Sequence, residues 1–286
     1  MFYIYSVAFL LTAFIGNLYA TPIVGGEVVY SPKYAAPKYP FIVSIQEIRE
    51  AVSRSLGVHE YRHFCGGAML NAKWFVSAAH CFLRKKLARI AAVIGHENLL
   101  NAQQNNSRYT IERVQFIYYQ PTNIQNDIAL ARLKKRYVPE FNLVNGAFTH
   151  LPLAGMKNLS GVSCQIIGYG ATQYAGELQN NLIEGEVSVI TKQQCTEILG
   201  RILAPPHDET TLCALGDNQD TCQGDSGGPL ICKLNNTPYI CGIVSHGLTC
   251  GIRGVPSIYT AIVPYLEWIK LVINDKIEQT QINKLK

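Results

Sequence analysis

Residues 229–244 read PLICKLNNTPYICGIV, which is two short apolar runs separated by Asn235-Asn236-Thr237-Pro238. Short runs rich in branched apolar residues are typical of β-strands, and clusters of Asn and Pro are typical of the turns between them. The stretch therefore predicts an antiparallel β-hairpin. It is the clearest indication of the fold class.

Similar apolar runs recur along the chain between turn signals. They lie at residues 41–45, 74–77, 164–170 and 185–190. Together with the hairpin they predict an all-β fold. Near the C-terminus the period changes, where Val263, Leu266, Ile269 and Ile273 recur at helical spacing. This pattern predicts one closing α-helix.

The composition is that of a globular protein and argues against nucleic acid as a partner. The chain has 286 residues, 48% of them hydrophobic, and a formal net charge of +5. The tightest basic groups, residues 84–86 and 134–136, are short and separated in sequence. A nucleic-acid surface needs basic residues clustered on one face, so we interpret these groups as solvated loops.

The N-terminus predicts a secretory signal peptide. Residues 1–22 hold no charged side chain, and residues 7–15 form an apolar core that is followed by Ala20. A retained membrane anchor is the alternative, but the apolar run is shorter than the ~20 residues that span a bilayer. Secretion would place the nine cysteines in an oxidising compartment, where disulfides persist.

A candidate nucleophile lies in the stretch GDSGGP, residues 224–229. Glycines around Ser226 allow the backbone to turn its amides toward one point, as an oxyanion hole requires. A serine hydroxyl also needs a base and a carboxylate. His80 in VSAAHC and Asp127 in NDIAL are candidates, because each is polar in an apolar context. Taken singly, GDSG is also typical of a tight turn, His80 of a core histidine and Asp127 of a helix or turn cap, and for the last two these interpretations are favoured.

The chain order His, Asp, Ser matches the chymotrypsin-type triad rather than the order in subtilisin or the α/β-hydrolases. On these residues the chain resembles the trypsin/chymotrypsin family of serine proteases. The matching segments are IVGG (23–26), CGG (65–67), AAHC (78–81), DIAL (127–130), GDSGGP (224–229) and IYT (258–260). The resemblance implies an all-β protein of two packed six-stranded antiparallel β-barrels with a C-terminal α-helix.

The resemblance implies a secreted serine endopeptidase and a role for each matched residue. His80 would act as general base and then general acid, and Asp127 would orient it. The backbone amides of Gly224 and Ser226 would form the oxyanion hole, and Ser245 would support Asp127 at the substrate cleft. The expected segments are a signal peptide (1–20), an activation dipeptide (21–22), the protease domain (23–274) and a flexible polar tail (275–286).

The same resemblance implies cleavage after Arg or Lys. Asp220 precedes Ser226 by six residues and matches the base of the family's primary pocket, where a buried carboxylate requires a cationic partner. Gly247 and Ser257 would line the walls of that pocket. Ser257 stands where trypsin has glycine, so its side chain could narrow the slot.

Four disulfides are implied by the family pattern. They are Cys65–Cys81, Cys164–Cys232, Cys195–Cys213 and Cys222–Cys250. Cys241 is left over and is expected to be a small buried hydrophobe. A rival pairing remains open: about a hairpin midpoint at Asn236-Thr237, Cys232 and Cys241 stand opposite each other, and their disulfide would leave Cys164 free.

Three features depart from the family. His246 stands where the family usually has Trp, which would make the cleft wall smaller and titratable. The segment from Gln46 to Arg62 is long and is expected to form a surface loop on the leaving-group side. The loop from Gly95 to Tyr109 lacks the paired glutamates of calcium-binding relatives, so no calcium site is expected, and no other metal or cofactor is expected either.

Activation is expected to differ from that of digestive relatives. In the family, a new α-amino group at Ile23 pairs with Asp225, but here Ile23 follows Thr21-Pro22, which a trypsin-like enzyme does not cut. A signal cleavage after Ala20 would leave a terminus from which a dipeptidyl peptidase removes Thr-Pro. Direct cleavage before Ile23 and permanent inactivity are the competing hypotheses.

The expected partners are protein or peptide substrates, a dipeptidyl peptidase activator and a protein inhibitor, with no nucleic acid and no membrane once the signal is removed. A second class of function is a catalytically silent homologue that serves as a binding module, although such proteins usually lose a triad residue. A lipase or esterase of the α/β-hydrolase class is disfavoured, because Gly-Gly-Pro after Ser226 does not suit a helix there.

Overall fold

The structure is a computed structural model of the chain. It describes residues 22–31, 37–49, 60–104, 107–139, 147–206 and 208–274. The expected signal peptide (1–20), Thr21 of the activation dipeptide and the polar tail (275–286) lie outside the described residues. None of the helices in the described part of the chain has the length and hydropathy needed to cross a membrane.

The first half of the chain closes into an antiparallel barrel of six strands. A two-residue strand, β1 (Glu27–Val28), precedes it. The barrel strands are β2 (Ile42–Arg49), β3 (Glu60–Met69), β4 (Trp74–Ser77), β5 (Ile90–Ile94), β6 (Arg108–Phe116) and β7 (Ala129–Leu133). They close in the order β2-β3-β4-β7-β6-β5, which leaves this barrel without a free edge.

The second half forms another antiparallel barrel of six strands. They are β8 (Ser163–Gly168), β9 (Ile183–Ile190), β10 (Thr211–Leu215), β11 (Pro229–Leu234), β12 (Thr237–His246) and β13 (Ser257–Ala261). The order β9-β10-β13-β12-β11-β8 is closed by pairing of β8 with β9, and β1 adds to β9 from outside. The expectation of two six-stranded barrels is confirmed.

The hairpin expected in residues 229–244 is present, but its turn is tighter than the sequence suggested. Asn235 and Asn236 have φ angles of 49° and 62°, and the strands already pair at Leu234 and Thr237. Two central residues with positive φ form the turn type that matches the twist of two antiparallel strands, and Asn tolerates this conformation. The turn therefore contains two residues instead of four.

The tighter turn changes which residues face each other across the hairpin. Cys232 lies opposite Tyr239, and a bulge follows at Leu230 and Ile231. Cys232 also pairs with Cys164 on its other side, in β8. The expected opposition of Cys232 and Cys241 is therefore wrong, because it rested on a turn centred one residue later.

The helices are short and lie outside the barrels. Besides the four-residue turn Pro22–Gly25, in which Ile23 and Val24 have non-helical torsion angles, they are α1 (Leu99–Gln104), α2 (Lys192–Leu199) and α3 (Leu266–Ile273), with 3-10 turns at Ala79–Phe82, Leu87–Arg89 and Val263–Tyr265. Helix α3 is the closing helix that the sequence predicted, and Leu266, Trp268 and Ile269 are buried on its inner face. Val263 belongs to the preceding 3-10 turn. The closing helix belongs to one hydrophobic cluster that includes strands of both barrels.

Part of the expected loop from Gln46 to Arg62 is strand. Gln46 pairs with His63, Glu47 with Arg62, and Arg49 with Glu60. The ladder hydrogen bonds of β2 and β3 therefore continue past the point where the sequence suggested that pairing would stop. Residues 50–59 lie outside the described part of the chain.

The structure contains four disulfides, and they are the pairs that the family resemblance implies. They are Cys65–Cys81, Cys164–Cys232, Cys195–Cys213 and Cys222–Cys250. Cys241 is free and buried, with burial raising the pKa of its thiol to about 12. A thiol reacts as the thiolate, so this cysteine combines low access with low reactivity.

We expect Cys241 to be the single cysteine that an alkylating reagent modifies without reduction, and only after unfolding. The native protein should remain unlabelled because the thiol is both buried and protonated. Peptide mapping after labelling in denaturant, with a fully reduced sample as control, identifies the site. Labelling of Cys164 or Cys232 in the unreduced protein would contradict the disulfide pairing.

Candidate active site

A buried carboxylate holds the candidate base in place. Asp127 precedes β7, and His80 lies in the 3-10 turn that follows β4. The backbone N–H of His80 donates to Asp127 Oδ1 at 2.9 Å, and His80 Nδ1 lies 2.8 Å from Asp127 Oδ2. Asp127 is fully buried, whereas 31% of the His80 side chain is exposed. The ring is thus oriented by a group in the core, and its Nε2 lies on the side away from Asp127.

Asp127 also receives hydrogen bonds from the second barrel. Ser245 Oγ donates to Asp127 Oδ2 at 2.6 Å, and Thr260 Oγ1 donates to the Asp127 carbonyl at 2.9 Å. Burial alone would raise the pKa of Asp127, but the hydrogen bonds and charge of His80 and the Ser245 hydroxyl outweigh it and lower the pKa. The group is therefore a carboxylate that can only accept, so His80 carries a proton on Nδ1.

Ser226 lies next to this pair. Its carbonyl accepts from the Gly66 amide at 2.7 Å, which ties the serine turn to β3. The Cys81 sulfur is 3.7 Å from the Ser226 carbonyl and 3.8 Å from His80 Nε2. Because Cys81 is bonded to Cys65, the two sulfurs near His80 are not thiolates that would bind a metal. The Ser226 hydroxyl itself makes no hydrogen bond with any described residue.

The backbone N–H groups of Gly224 and Ser226 have no hydrogen-bond partner among the described residues, because the carbonyls of the same peptide units are bonded on the opposite side. The Gln223 carbonyl accepts from the Ala171 amide at 2.7 Å, and the Asp225 carbonyl accepts from the Gly228 amide at 2.8 Å. In a trans peptide the N–H points away from the carbonyl. The N–H groups of Gly224 and Ser226 therefore point away from these partners, and neither donates to a described residue. The pair has the composition of an oxyanion hole.

A buried histidine that the sequence reasoning did not single out supports this turn. His63 Nε2 lies 2.9 Å from the Gly224 carbonyl, and its Nδ1 lies 2.8 Å from Ser44 Oγ. Burial lowers the pKa of His63 to about 4, so the ring is neutral and donates from Nε2 to the carbonyl. One feature of the sequence could have pointed to this residue, because His63 stands two residues before the CGG motif.

Asp225 is a buried carboxylate that has no cationic partner among the described residues. Its oxygens accept from the amides of Gly170 and Cys222, each at 2.9 Å. Burial raises its pKa to about 7. Side chains at Gly168 and Gly170 would collide with this carboxylate, so both positions require glycine. Ile23 is fully buried in the core of the second barrel.

Asp220 lies at the base of a second buried site. It is 8% exposed and accepts from Ser257 Oγ at 2.6 Å and from the Gly251 amide at 3.2 Å. Burial raises its pKa although the Ser257 hydrogen bond opposes the shift. Among the described residues no cation pairs with it. Gly247 lies beside this group, because a Cβ there would be 3.4 Å from Ser257 Oγ.

Ser257 therefore binds the candidate specificity carboxylate directly. Its hydroxyl also accepts from Thr221 Oγ1 at 2.9 Å, so the side chain is fixed on both sides. The backbone of Asp220 is held as well, since its amide donates to the Val24 carbonyl at 3.2 Å. The N-terminal segment and the residues around Asp220 are thus directly connected.

His246 extends the hydrogen-bond chain of Asp127. Its Nδ1 lies 3.1 Å from Ser245 Oγ. The Ser245 hydroxyl has one proton and gives it to Asp127, so His246 must be the donor from Nδ1. Burial lowers the pKa of His246, which Asp127 opposes and His80 reinforces. The adjacent strand β13 carries no charged side chain, so Asp127 and His80 dominate the charge around the ring.

Comparison with known proteins agrees with this geometry. A family model described as Trypsin matches residues 28–269. The mouse (Mus musculus) hepatocyte growth factor activator serine protease is 35% identical over 225 residues, which is 75% of this chain and 33% of that protein. Chicken (Gallus gallus) trypsin I-P1 is 31% identical over 233 residues, covering 79% of this chain and 86% of that protein.

A third relative has a different stated activity. The venom peptide isomerase heavy chain of Agelenopsis aperta is 30% identical over 243 residues, covering 81% of this chain and 93% of that protein. The chain thus spans most of two of these relatives and about a third of the other. With two closed antiparallel barrels and a family match across both of them, the chain belongs to the trypsin family.

We expect protonation of His246 to steepen the acid limb of the pH–rate profile. A cationic His246 would disfavour the cationic His80 formed during catalysis, so protonation of His246, whose pKa burial lowers, would reduce activity further at acid pH. In His246→Asn the side chain keeps a donor but cannot titrate, so kcat/KM should retain its neutral plateau and its acid limb should become less steep. His150→Asn is the control, and identical limb slopes in all three proteins would contradict the coupling.

Proposed function

We propose that this chain is a secreted serine endopeptidase that hydrolyses peptide bonds after Arg or Lys with His80, Asp127 and Ser226. The observation that carries the proposal is the His80–Asp127 pair beside Ser226. A base oriented by a buried carboxylate next to a serine is the arrangement that nucleophilic acyl transfer needs.

The proposed reaction begins with attack of Ser226 Oγ on the substrate carbonyl. His80 Nε2 takes the serine proton while Asp127 stabilises the cationic ring, and the carbonyl oxygen becomes an oxyanion bound by the free amides of Gly224 and Ser226. The protonated His80 then gives its proton to the leaving amine. Water repeats these steps on the acyl-enzyme and regenerates the serine.

Preference for Arg or Lys follows from the uncompensated charge of Asp220. A carboxylate that is 8% exposed and has no cation among the described residues leaves its charge for a ligand to neutralise. A long cationic side chain in the pocket would supply this partner. Ser257 and Gly251 already donate to Asp220 Oδ1 and Oδ2, so a substrate cation would contact a remaining lone pair of the carboxylate or the serine hydroxyl.

Activation by removal of Thr21-Pro22 is part of the proposal. Ile23 has a φ angle of 33°, which is unfavourable for a β-branched residue and costs ~1–3 kcal/mol. The φ torsion exists only while residue 22 is attached, so cleavage before Ile23 would relieve the strain. It would also create an α-amino group that could neutralise Asp225. A dipeptidyl peptidase is the proposed activator, with direct cleavage as the competing route.

The proposed setting is extracellular. The charge-free segment 1–22 supports secretion, and the four disulfides suit an oxidising compartment. Proteins or peptides are the proposed substrates. The proposed regulator is a protein inhibitor that binds at the same site as the substrate.

A catalytically silent binding module is the alternative function, and it is not favoured. All three triad residues are present, and Asp127 holds both His80 and Ser245. Labelling with a fluorophosphonate separates the two functions, because only an activated serine reacts. The mass of the peptide product separates hydrolysis, which adds water, from an isomerisation that leaves the mass unchanged.

Two substitutions test the catalytic assignment. In the form that begins at Ile23, Ser226→Ala should lower kcat on an Arg peptide by roughly 10⁶-fold, because the nucleophile is lost. Asp220→Ser should lower kcat/KM for Arg and Lys peptides by roughly 10²–10³-fold but retain fluorophosphonate labelling. An unchanged Arg/Lys preference in Asp220→Ser, or a wild-type preference for aromatic residues, would refute the specificity.

The activation route is tested by preparing the protein from Thr21 and from Ile23. The first form should become active only after treatment with a dipeptidyl peptidase, whereas the second should be active untreated. The new amine gains a carboxylate partner, so its pKa rises above the free value of ~8. Its contribution to stability is then complete below pH ~8 and is lost as the pH rises through the raised pKa. Equal activity of the two untreated forms would refute the mechanism.

A further inference from the structure

A cleft lies beside Gly224, and Asp220 is not among the residues that line it. It has a volume of about 390 Å³ and lies between the ends of β2 and β3 and the loops of the second barrel. Its walls include Arg49, Arg62, Phe64, Leu178, Gln223 and Gly224. None of these residues contributes to the hydrogen bonds around Asp220.

The cleft carries uncompensated positive charge. Glu47 also lines it, but the Lys85 ammonium binds that carboxylate at 2.6 Å and lies 4.7 Å from the centre of the Phe64 ring. Arg49 and Arg62 are exposed, and their side chains make no hydrogen bond or ion pair with any described residue. Their guanidinium groups remain available to a ligand.

The position of the cleft relates it to a bound peptide. If the oxyanion lies at the Gly224 amide and the preceding side chain enters the Asp220 pocket, the chain after the scissile bond must continue away from Asp220. A side chain at Gly224 would meet Leu178 at 2.6 Å and His63 at 3.6 Å, so the α-carbon of Gly224 faces the cleft. The leaving segment therefore passes the two arginines.

We propose that this cleft binds an acidic side chain, Asp or Glu, in the second or third residue after the cleaved bond. The inference rests on the proposed function and specifies its substrate class further: a cation before the bond and an anion after it. Arg binds carboxylates through paired N–H groups. Pairs at exposed sites are weak, so each arginine should change kcat/KM by roughly two- to fivefold.

The test compares three quenched fluorescent peptides with one Arg at the cleaved bond. They are identical except for Glu, Gln or Lys at the second and third positions after it. The enzyme that begins at Ile23, with its active sites titrated by a fluorophosphonate, should cleave them in the order Glu, Gln, Lys. We expect a roughly tenfold range between Glu and Lys, and this range should shrink at high ionic strength.

Variants show whether the arginines cause the preference. In the double variant Arg49→Gln with Arg62→Gln, kcat/KM for the Glu peptide should fall to that of the Gln peptide, which itself should not change. Arg136→Gln is the matched control, because Arg136 is an exposed arginine outside the walls of the cleft. Folding is checked by the unchanged rate on the Gln peptide.

Two kinds of outcome overturn the inference and are distinguishable. Equal cleavage of the three peptides by the wild type, or a folded double variant that keeps the wild-type preference for Glu, would refute the acidic site while leaving the protease function intact. Cleavage of none of them by a protein that begins at Ile23 would refute the proposed function and the inference that rests on it.

Discussion

The carboxylate of Asp127 is the constraint on which both halves of the molecule converge. It is fully buried, and an ionised group in that position is tolerated only when its hydrogen-bonding capacity is used. The first barrel supplies the backbone and ring of His80, and the second supplies Ser245. The barrels must therefore dock for this charge to be satisfied. The same hydrogen bonds that satisfy it fix the tautomer of His80.

Two further buried carboxylates are compensated less completely. Asp225 accepts two backbone amides, yet burial still raises its pKa to about 7. Asp220 accepts from Ser257 and Gly251, and its pKa is also raised. On our proposal, cleavage before Ile23 supplies the cation for Asp225 and the substrate supplies the cation for Asp220. Each of these two buried carboxylates would then be neutralised only by a later event, Asp225 by activation and Asp220 by substrate binding.

The sequence predicts the elements whose signals are local and misses those that depend on register or contacts through space. Short apolar runs predict the strands, and the period of residues 263–273 predicts the closing helix. The order of three motifs along the chain predicts that His80, Asp127 and Ser226 form one site. The turn at Asn235-Asn236 shifts the pairing of Cys232, which periodicity cannot specify. The contact between His63 and Gly224 joins residues from opposite barrels, so no local pattern contains it.

The N-terminal segment is in direct contact with the residues around Asp220. Val24 accepts a hydrogen bond from the Asp220 amide, and a side chain at Gly251 would lie 2.9 Å from the Val24 side chain. Gly251 has a φ angle of 79° and donates to Asp220 Oδ2. Displacing Val24 would therefore remove the hydrogen bond of the Asp220 amide and the neighbour of Gly251, whose own amide binds Asp220 Oδ2. On our proposal, a change at Ile23 would reach Asp220 through the backbone of the adjacent Val24.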